Sequence, residues 1–415
     1  MLRRNVRAIA LRNVIGLSAL AVLTASISFA QGEQDEAHHL EGQLRHRLEV
    51  DARNNAPGRD AVAFQLLRSR LGFRAFPTAR TEVFLQVQDS RVMGEEASTL
   101  DGSANAFDLH QGFVTLKRVF GRPLDIQAGR FETVYGSERL VGAVGWHNVG
   151  RSFDGVRLRW SEADVDVDAF HLQIREELRE AGEGDVRFMG TWLEGRWIDG
   201  LTTNVFALWE RATPSDLLSR YTTGAELTGR FGAFDPRLEL AYQGGRADGE
   251  RVSAYMAAFR IDARLAYGPL DPVVSAGVDL LSGDDHPGSG TRRVFHTLYA
   301  TNHKYYGLMD LFVSLPADTY GGGLRDYHLG TSVAPRSKIR LHVDVHHFRS
   351  DKPVALSSGT ARTFGTEVDA TVAVAFDDAT SISLGGALFA PAEIEREKRS
   401  RDTFLWGYVM TVVNF

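Results

Sequence analysis

One pattern recurs along most of this sequence: apolar and polar side chains alternate at every second residue. In residues 153–161, for example, Val156, Leu158 and Trp160 fall on one face of an extended chain, whereas Arg157 and Arg159 fall on the other. A period of two is typical of a β-strand whose two faces meet different surroundings. Helical periodicity with capping residues is missing throughout the sequence. The pattern therefore predicts an all-β fold.

Eighteen segments show this alternation, and the connections between them alternate in length. The predicted strands begin near residues 38, 62, 80, 107, 124, 153, 164, 186, 200, 220, 236, 251, 273, 324, 337, 364, 380 and 403. Short turns such as 76–79 are followed by longer connections such as 93–106, 135–152 and 283–323. Transmembrane barrels have tight periplasmic turns and longer extracellular loops, and an even strand number leaves both chain ends on the periplasmic side. We therefore predict an antiparallel transmembrane β-barrel of 18 strands, of the outer-membrane type, over residues 31–415.

The two ends of the sequence support a membrane barrel over a soluble β-sandwich, which would also have alternating strands. Four arginines precede an apolar run over residues 14–29, and small residues lead up to Ala30, so we expect a secretory signal peptide over residues 1–30. The last segment, FLWGYVMTVVNF at 404–415, is rich in aromatic residues and ends in Phe. It resembles the C-terminal signal that bacterial barrel-assembly machinery recognises. We therefore expect localisation in the outer membrane after cleavage.

The basic residues are strongly biased, since 42 of 47 are Arg and only five are Lys. An Arg that faces lipid near the membrane midplane costs roughly 2–4 kcal/mol, so arginines on the polar face of a barrel strand must face the lumen. The predicted lumen arginines are Arg68, Arg70, Arg157, Arg159, Arg260, Arg264 and Arg340. The same face also carries acids: Glu49, Asp51, Asp262, Asp344, Glu367 and Asp369. The arginines could form a track for an anionic solute, or they could be paired across strands and only keep the lumen hydrated.

Two longer motifs resemble the alginate-export family of outer-membrane barrels. The first is GRFETVYGSERLVG at 129–142 with WHNVGRSFDGVRL at 146–158, and the second is TNHKYYGLMDLF at 301–312. The resemblance covers nearly all of the chain after residue 30. It implies an 18-stranded monomeric barrel that passively exports the polyuronate alginate through an Arg-lined constriction. Arg130, Arg139, Arg151 and Asp154 match charged positions of the first motif, and Tyr135 and Trp146 could stack against sugar rings.

Other kinds of chemistry have weaker support in the sequence. His342, Asp344 and His346 share one strand face but are about 7 Å apart per step, too far for one metal ion. No compact catalytic motif, nucleotide fingerprint or nucleic-acid module is present. We expect no enzyme activity, no cofactor and no metal.

The expected partners are outer-membrane lipid, the assembly machinery, an anionic polysaccharide or small solutes, and a periplasmic polysaccharide-export protein. Two alternatives stay open: a general or uptake porin whose lumen charges only keep the pore hydrated, and a structural or adhesive barrel that is plugged by residues 283–323.

Overall fold

The computed structural model describes residues 38–53, 61–93, 107–175, 185–213, 217–265 and 270–415. These residues form nineteen strands: β1 (His38–Ala52), β2 (Val62–Thr78), β3 (Thr81–Met93), β4 (Phe107–Leu116), β5 (Leu124–Phe131), β6 (Phe153–Glu162), β7 (Val165–Arg175), β8 (Asp185–Ile198), β9 (Leu201–Thr213), β10 (Leu218–Gly229), β11 (Phe234–Ala247), β12 (Glu250–Arg264), β13 (Val273–Leu281), β14 (Thr291–Arg292), β15 (Leu324–Arg336), β16 (Ile339–Leu356), β17 (Gly359–Ala375), β18 (Thr380–Pro391) and β19 (Phe404–Asn414). A short helix, α1 (Glu393–Lys398), lies between β18 and β19. The expected signal peptide and the connection after β3 lie outside the described residues, so both stay predictions.

Eighteen of these strands form one closed antiparallel barrel, which confirms the predicted fold. Each strand pairs with the next one along the chain, except that β13 pairs with β15, and β1 pairs with β19 to close the wall. The remaining strand, β14, has two residues and pairs in parallel with β12. It lies in the longest connection and was not predicted. Because the wall is closed, its strands have no free edge inside the membrane.

The strand boundaries agree closely with the alternation pattern, and the largest difference is at β17. This strand begins at Gly359, whereas the sequence predicts a start near 364. The reason is that β16 and β17 continue past the wall as a hairpin, in which Leu356 pairs with Gly359. Residues 359–363 belong to this extension, where no lipid imposes an apolar outer face.

The two faces of the wall differ as the alternation predicts. On β6, Val156, Leu158 and Trp160 are exposed on the outer face, whereas Arg157 and Arg159 point into the barrel. The apolar outer face is the surface that a lipid bilayer covers. Among the described residues, no helix is both long and apolar enough to span a membrane.

Two of the long connections fold into the barrel. We call residues 132–152 inner loop A and residues 282–323 inner loop B. Their apolar side chains pack against inward aromatic residues of the wall in a single buried cluster, which includes Phe170, Phe188 and Phe206. Alternation therefore predicts the direction of the wall side chains correctly, but it does not predict that part of the inner face is apolar.

Candidate pore lining and solute pathway

The two inner loops are joined to each other by backbone hydrogen bonds. The amide of Gly142 donates to the carbonyl of Tyr299 at 2.9 Å, and the amide of Tyr299 donates to the carbonyl of Leu140 at 2.9 Å. The amide of Thr301 also donates to the carbonyl of Glu138 at 2.9 Å. The loops thus form one continuous piece of structure inside the barrel, and this piece narrows the lumen.

Arginines of the first two strands hold inner loop A against the wall. Arg45 donates from Nη1 to the carbonyl of Gly145 at 2.7 Å, and Arg68 donates from Nη1 to the same carbonyl at 3.2 Å. Arg47 donates to the carbonyl of Trp146 at 2.8 Å, and its guanidinium carbon lies 3.9 Å from the centre of that ring system. These carbonyl acceptors carry no net charge. Within the described part of the chain, no carboxylate lies within 4.0 Å of Arg45 or Arg68, so no ion pair neutralises either guanidinium group.

Arg139 of inner loop A is buried between two carboxylates of the wall. Its Nη1 contacts Oδ2 of Asp279, and its Nε lies 3.5 Å from Oε2 of Glu239. Its guanidinium carbon lies 3.7 Å from the ring centre of Tyr305 in inner loop B. All three charged side chains are less than 10% exposed. This arginine therefore fixes both loops to the wall, and solvent does not reach it.

A carboxylate pair on β17 holds inner loop B. Glu367 accepts the backbone N–H of Met309 at 2.8 Å, and Asp369 accepts that of Leu308 at 3.1 Å. Gly307 approaches so closely that a Cβ there would lie 2.5 Å from the carboxyl group of Glu367, and its φ of 79° is also in the left-handed region. Only glycine combines this φ with this close approach. The glycine in the second motif is therefore explained by how the loop is seated.

In the described part of the chain, three cavities with charged side chains in their lining lie on the short-turn side of the lumen. The first has a volume of 530 Å³ and is lined by charged residues including Arg237, Arg260 and Asp262. The second has 440 Å³ and includes Arg45 and Arg68 beside Trp146, and Lys304 lines both of these cavities. The third has 270 Å³ and includes Arg157 and Arg159. We refer to these cavities together as the lower vestibule.

The lower vestibule carries an excess of positive charge. Nine basic side chains line it, namely Arg45, Arg68, Arg74, Lys117, Arg157, Arg159, Arg237, Arg260 and Lys304, against five acidic ones, namely Glu82, Asp125, Glu138, Glu226 and Asp262. The whole chain has a formal net charge of −6. The positive excess is thus local to these cavities. No carboxylate among the described residues lies within 4.0 Å of the side chain of Arg237, so no direct ion pair offsets its charge.

Several predicted lumen arginines line or border this vestibule. Arg159 forms a two-pronged ion pair with Asp168 at 2.7 Å for both contacts, while Arg157 lies 4.0 Å from the same carboxylate. Arg264 and Arg340 point inward near the short turns, close to Asp235 and Asp271 respectively.

Other predicted residues support the loops. Arg70 bonds to Glu132 at 3.0 Å, and Arg151 donates to carbonyls of both inner loops, including that of Gly142 at 3.1 Å. The ring of Tyr135 is stacked between Phe170 and Trp192, 5.3 Å from each, so no sugar can reach either of its faces.

Arg130 and Asp154 were predicted to line the pore, and this prediction is wrong. They form an ion pair with two contacts of 2.8 Å, but they lie on the outer face of β5 and β6. Their neighbours Phe131 and Phe153 are buried inside the barrel, and successive residues of a strand point to opposite faces. The motif match indicated that the two residues lie beside a long connection, but it could not give the direction of their side chains. Alternation along β1 and β11 would have indicated Arg45 and Arg237, which were missed.

The histidines and acids of β16 contact each other and β15. His346 lies 2.8 Å from Asp326, and Asp344 contacts both His328 and His342. No group of three histidine or acidic side chains in the described ranges is arranged to hold a metal ion. These contacts form an imidazole–carboxylate network on the lumen-facing side of β15 and β16.

A closed 18-stranded barrel with a polar vestibule and loops folded into its lumen defines a channel of the bacterial outer membrane. Residues 37–405 match the family model described as alginate export, so the chain belongs to the alginate-export family. The resemblance seen in the two motifs is thereby confirmed. No curated protein matches the sequence.

Solved structures with a similar fold include proteins of Pseudomonas aeruginosa, Pseudomonas fluorescens Pf-5 and Acinetobacter baumannii. OccK3 (OpdO) of Pseudomonas aeruginosa has a TM-score of 0.63 at 15% identity, with 92% of this chain and 96% of that chain covered. OccK11 (OpdR) of the same organism has a TM-score of 0.61 at 12% identity, with 91% and 96% covered. A BenF-like porin from Pseudomonas fluorescens Pf-5 has a TM-score of 0.63 at 11% identity, with 92% and 99% covered. At these identities the likeness shows the fold alone.

Proposed function

We propose that this channel conducts an anionic oligosaccharide or polysaccharide of the uronate type, such as alginate, by passive export. The observation that carries the proposal is the excess of basic over acidic side chains in the lower vestibule of a chain whose net charge is negative. Clefts of one sign between low-dielectric walls concentrate ions of the opposite charge. A polyanion would therefore be enriched where the barrel wall surrounds it.

The side chains in the vestibule suit a uronate chemically. The guanidinium group of Arg matches the geometry of a carboxylate with two parallel hydrogen bonds. Trp146 lies at the edge of the second cavity, but the guanidinium group of Arg47 and the ring of His303 cover its two faces, so it does not offer a stacking face to a sugar. The match to a uronate therefore rests on the cationic side chains.

The position of the vestibule favours export. It lies on the side of the short turns, which are periplasmic in barrels of this type. A solute that arrives from the periplasm would meet the basic cavities before it meets the inner loops.

The charge of the vestibule can be neutralised by two substitutions, Arg157→Glu and Arg237→Glu. These would leave seven basic and seven acidic side chains in place of nine and five. We expect the parent channel to prefer anions and the double variant to lose this preference. The measurement is the reversal potential of single channels in planar bilayers under a salt gradient.

The matched control is Arg118→Glu with Arg122→Glu, which makes the same change in charge in an exposed short turn outside the cavities. The control should keep the reversal potential of the parent. An unchanged potential in the vestibule variant, or an equal shift in the control, would contradict the proposal.

The kind of solute needs a separate measurement. Liposomes that contain the channel should release a uronate trisaccharide faster than a neutral trisaccharide of the same size. Equal rates would favour a general or uptake porin whose lumen charges only keep the pore hydrated.

A further inference from the structure

A row of four arginines crosses the outer face of the barrel from β8 to β12. We call Arg187, Arg211, Arg246 and Arg251 the rim arginine row. The strand register places them side by side: Arg187 is opposite Arg211, Ser219 lies between Arg211 and Arg246, and Arg246 is opposite Arg251. These pairings are continuous, so the row follows one line across five neighbouring strands.

The row faces away from the lumen. The strand neighbours Phe188, Ala212, Ala247 and Val252 are buried inside the barrel. Because side chains alternate along a strand, the four arginines must point outward. The Nε1 atom of Trp209, an exposed outward ring, donates to Oγ of Ser219 at 3.2 Å, which also places Ser219 on the outside.

The row lies at the upper edge of the apolar outer surface. Arg211 is ten residues above Leu201, the first residue of β9 at the short-turn end. At about 3.4 Å per residue and a tilt of about 40°, this corresponds to a height of roughly 26 Å, about the height of the apolar band of such barrels. An aromatic girdle is expected just below this level. Three exposed aromatic side chains lie there, two to four residues along their strands from the row: Trp209, Tyr221 and Tyr255. The arginines therefore lie at the level of lipid headgroups on the side of the long loops.

The charges of the row are poorly compensated by the protein. Within the described residues, Arg211, Arg246 and Arg251 have no carboxylate within 4.0 Å, and Arg187 lies 3.4 Å from Asp185. The guanidinium carbon of Arg211 lies 5.6 Å from the ring centre of Trp209. Like charges directly opposite each other on neighbouring strands are unfavourable. Anions outside the protein would relieve this repulsion.

An apolar groove lies directly below the row on the same face. It has a volume of 720 Å³ and crosses the small outward side chains of Thr191, Ala207 and Thr223, with Trp209 and Tyr221 at its upper side. A groove of this kind can accept an acyl chain whose headgroup lies at the arginines.

We infer that the rim arginine row and this groove bind a phosphate-bearing lipid of the outer leaflet. The phosphates would contact the guanidinium groups, and an acyl chain would occupy the groove. Clusters of Arg at the membrane surface attract anionic headgroups, and Arg binds phosphate oxygens in a two-pronged geometry. Apart from the arginine row and the groove, this inference requires only that the barrel lies in the outer membrane. It does not depend on which solute the channel conducts.

The test uses the full-length mature barrel in detergent and counts bound lipid by native mass spectrometry. The probe is bisphosphorylated lipid A, compared with the same lipid after removal of its phosphates and with inorganic phosphate. We expect the parent to retain the phosphorylated lipid. The variant with Gln at all four row positions should retain at least tenfold less. Removal of the phosphates should cause a similar loss in the parent.

A matched control changes four exposed arginines of the short turns to Gln, namely Arg80, Arg118, Arg122 and Arg336. It loses the same charge at the opposite rim and should bind lipid like the parent. If the fourfold row variant does not give a folded, heat-modifiable barrel, Arg246→Gln with Arg251→Gln and the dephosphorylated lipid still test the inference. Equal binding by row and control variants, or equal retention of both lipids, would overturn it. Competition by inorganic phosphate alone would indicate a simple anion site and would also overturn it.

Discussion

Replacing residues 285–320 by a Gly-Ser-Gly linker is expected to raise the single-channel conductance about twofold or more, because a barrel of this size without an inner loop leaves an aqueous channel. The deletion removes most of inner loop B, including Tyr306, Met309 and Phe312, which are buried inside the barrel. The ends of the deleted segment are already adjacent, since the amide of Asp284 donates to the carbonyl of Gly321 at 2.9 Å. A short linker can therefore join them without moving the wall.

Planar-bilayer recordings check this prediction, and heat-modifiability in gels shows whether the barrel has folded. The control replaces residues 286–289 of the same loop by Gly and Ser. These residues are exposed and do not belong to the buried cluster, so the control should keep the conductance of the parent. A deletion variant that conducts like the parent would show that inner loop B does not restrict the pore, and a parent that conducts only after the deletion would show that it is a plug.

The wall of the barrel could be predicted from the sequence because lipid imposes the same requirement on every strand. Each outward side chain meets hydrocarbon, so the alternation at Val156, Arg157 and Leu158 recurs along the chain and needs no knowledge of distant residues. The same requirement indicated that Arg68 and Arg260 face inward, and both lie at inward positions of their strands in the structure. The lipid thus determines strand positions and side-chain directions from the local sequence alone.

The contents of the lumen could not be predicted in the same way, since they depend on contacts between residues far apart in sequence. Phe188 and Trp192 point inward on β8, and they are apolar because Tyr299 and Tyr135 of the inner loops pack against them. On this strand both faces are partly apolar, so the alternation of apolar and polar residues does not distinguish the inner face from the outer face. Arg139 illustrates the same limit: its motif position was evident, but its buried partner Asp279 is 140 residues away.

Arg130 shows how a motif can mislead about a site. Its position beside the long connection at 135–152 suggested a place at the pore mouth. The alternation of β5, counted from the buried Phe131, would have placed it outside. Where a motif and strand parity disagree in a barrel, parity deserves the greater weight because it follows from backbone geometry.

The second large effect is expected at the buried ion pairs of Arg139. Changing Arg139 to Met should lower the free energy of unfolding by about 3–5 kcal/mol, because it leaves buried carboxylates without a counter-charge. The affected groups are Asp279 and Glu239, which are 6% and 2% exposed. Urea unfolding of the barrel in phospholipid vesicles at neutral pH measures the change. Arg196→Met serves as a control, since Arg196 pairs with Asp166 and Glu194 in an exposed position and its loss should leave the unfolding free energy unchanged.

The decisive variant combines Arg139→Met with Asp279→Asn and Glu239→Gln. It removes the uncompensated charges, so most of the lost stability should return, since neutral replacement of a buried ion pair often costs little. The same variant separates two roles of Arg139. If the arginine only fixes the inner loops, the triple variant should recover both stability and the anion preference of the parent. Recovery of stability without anion preference would instead mean that Arg139 contributes to the field that a solute meets, despite its burial.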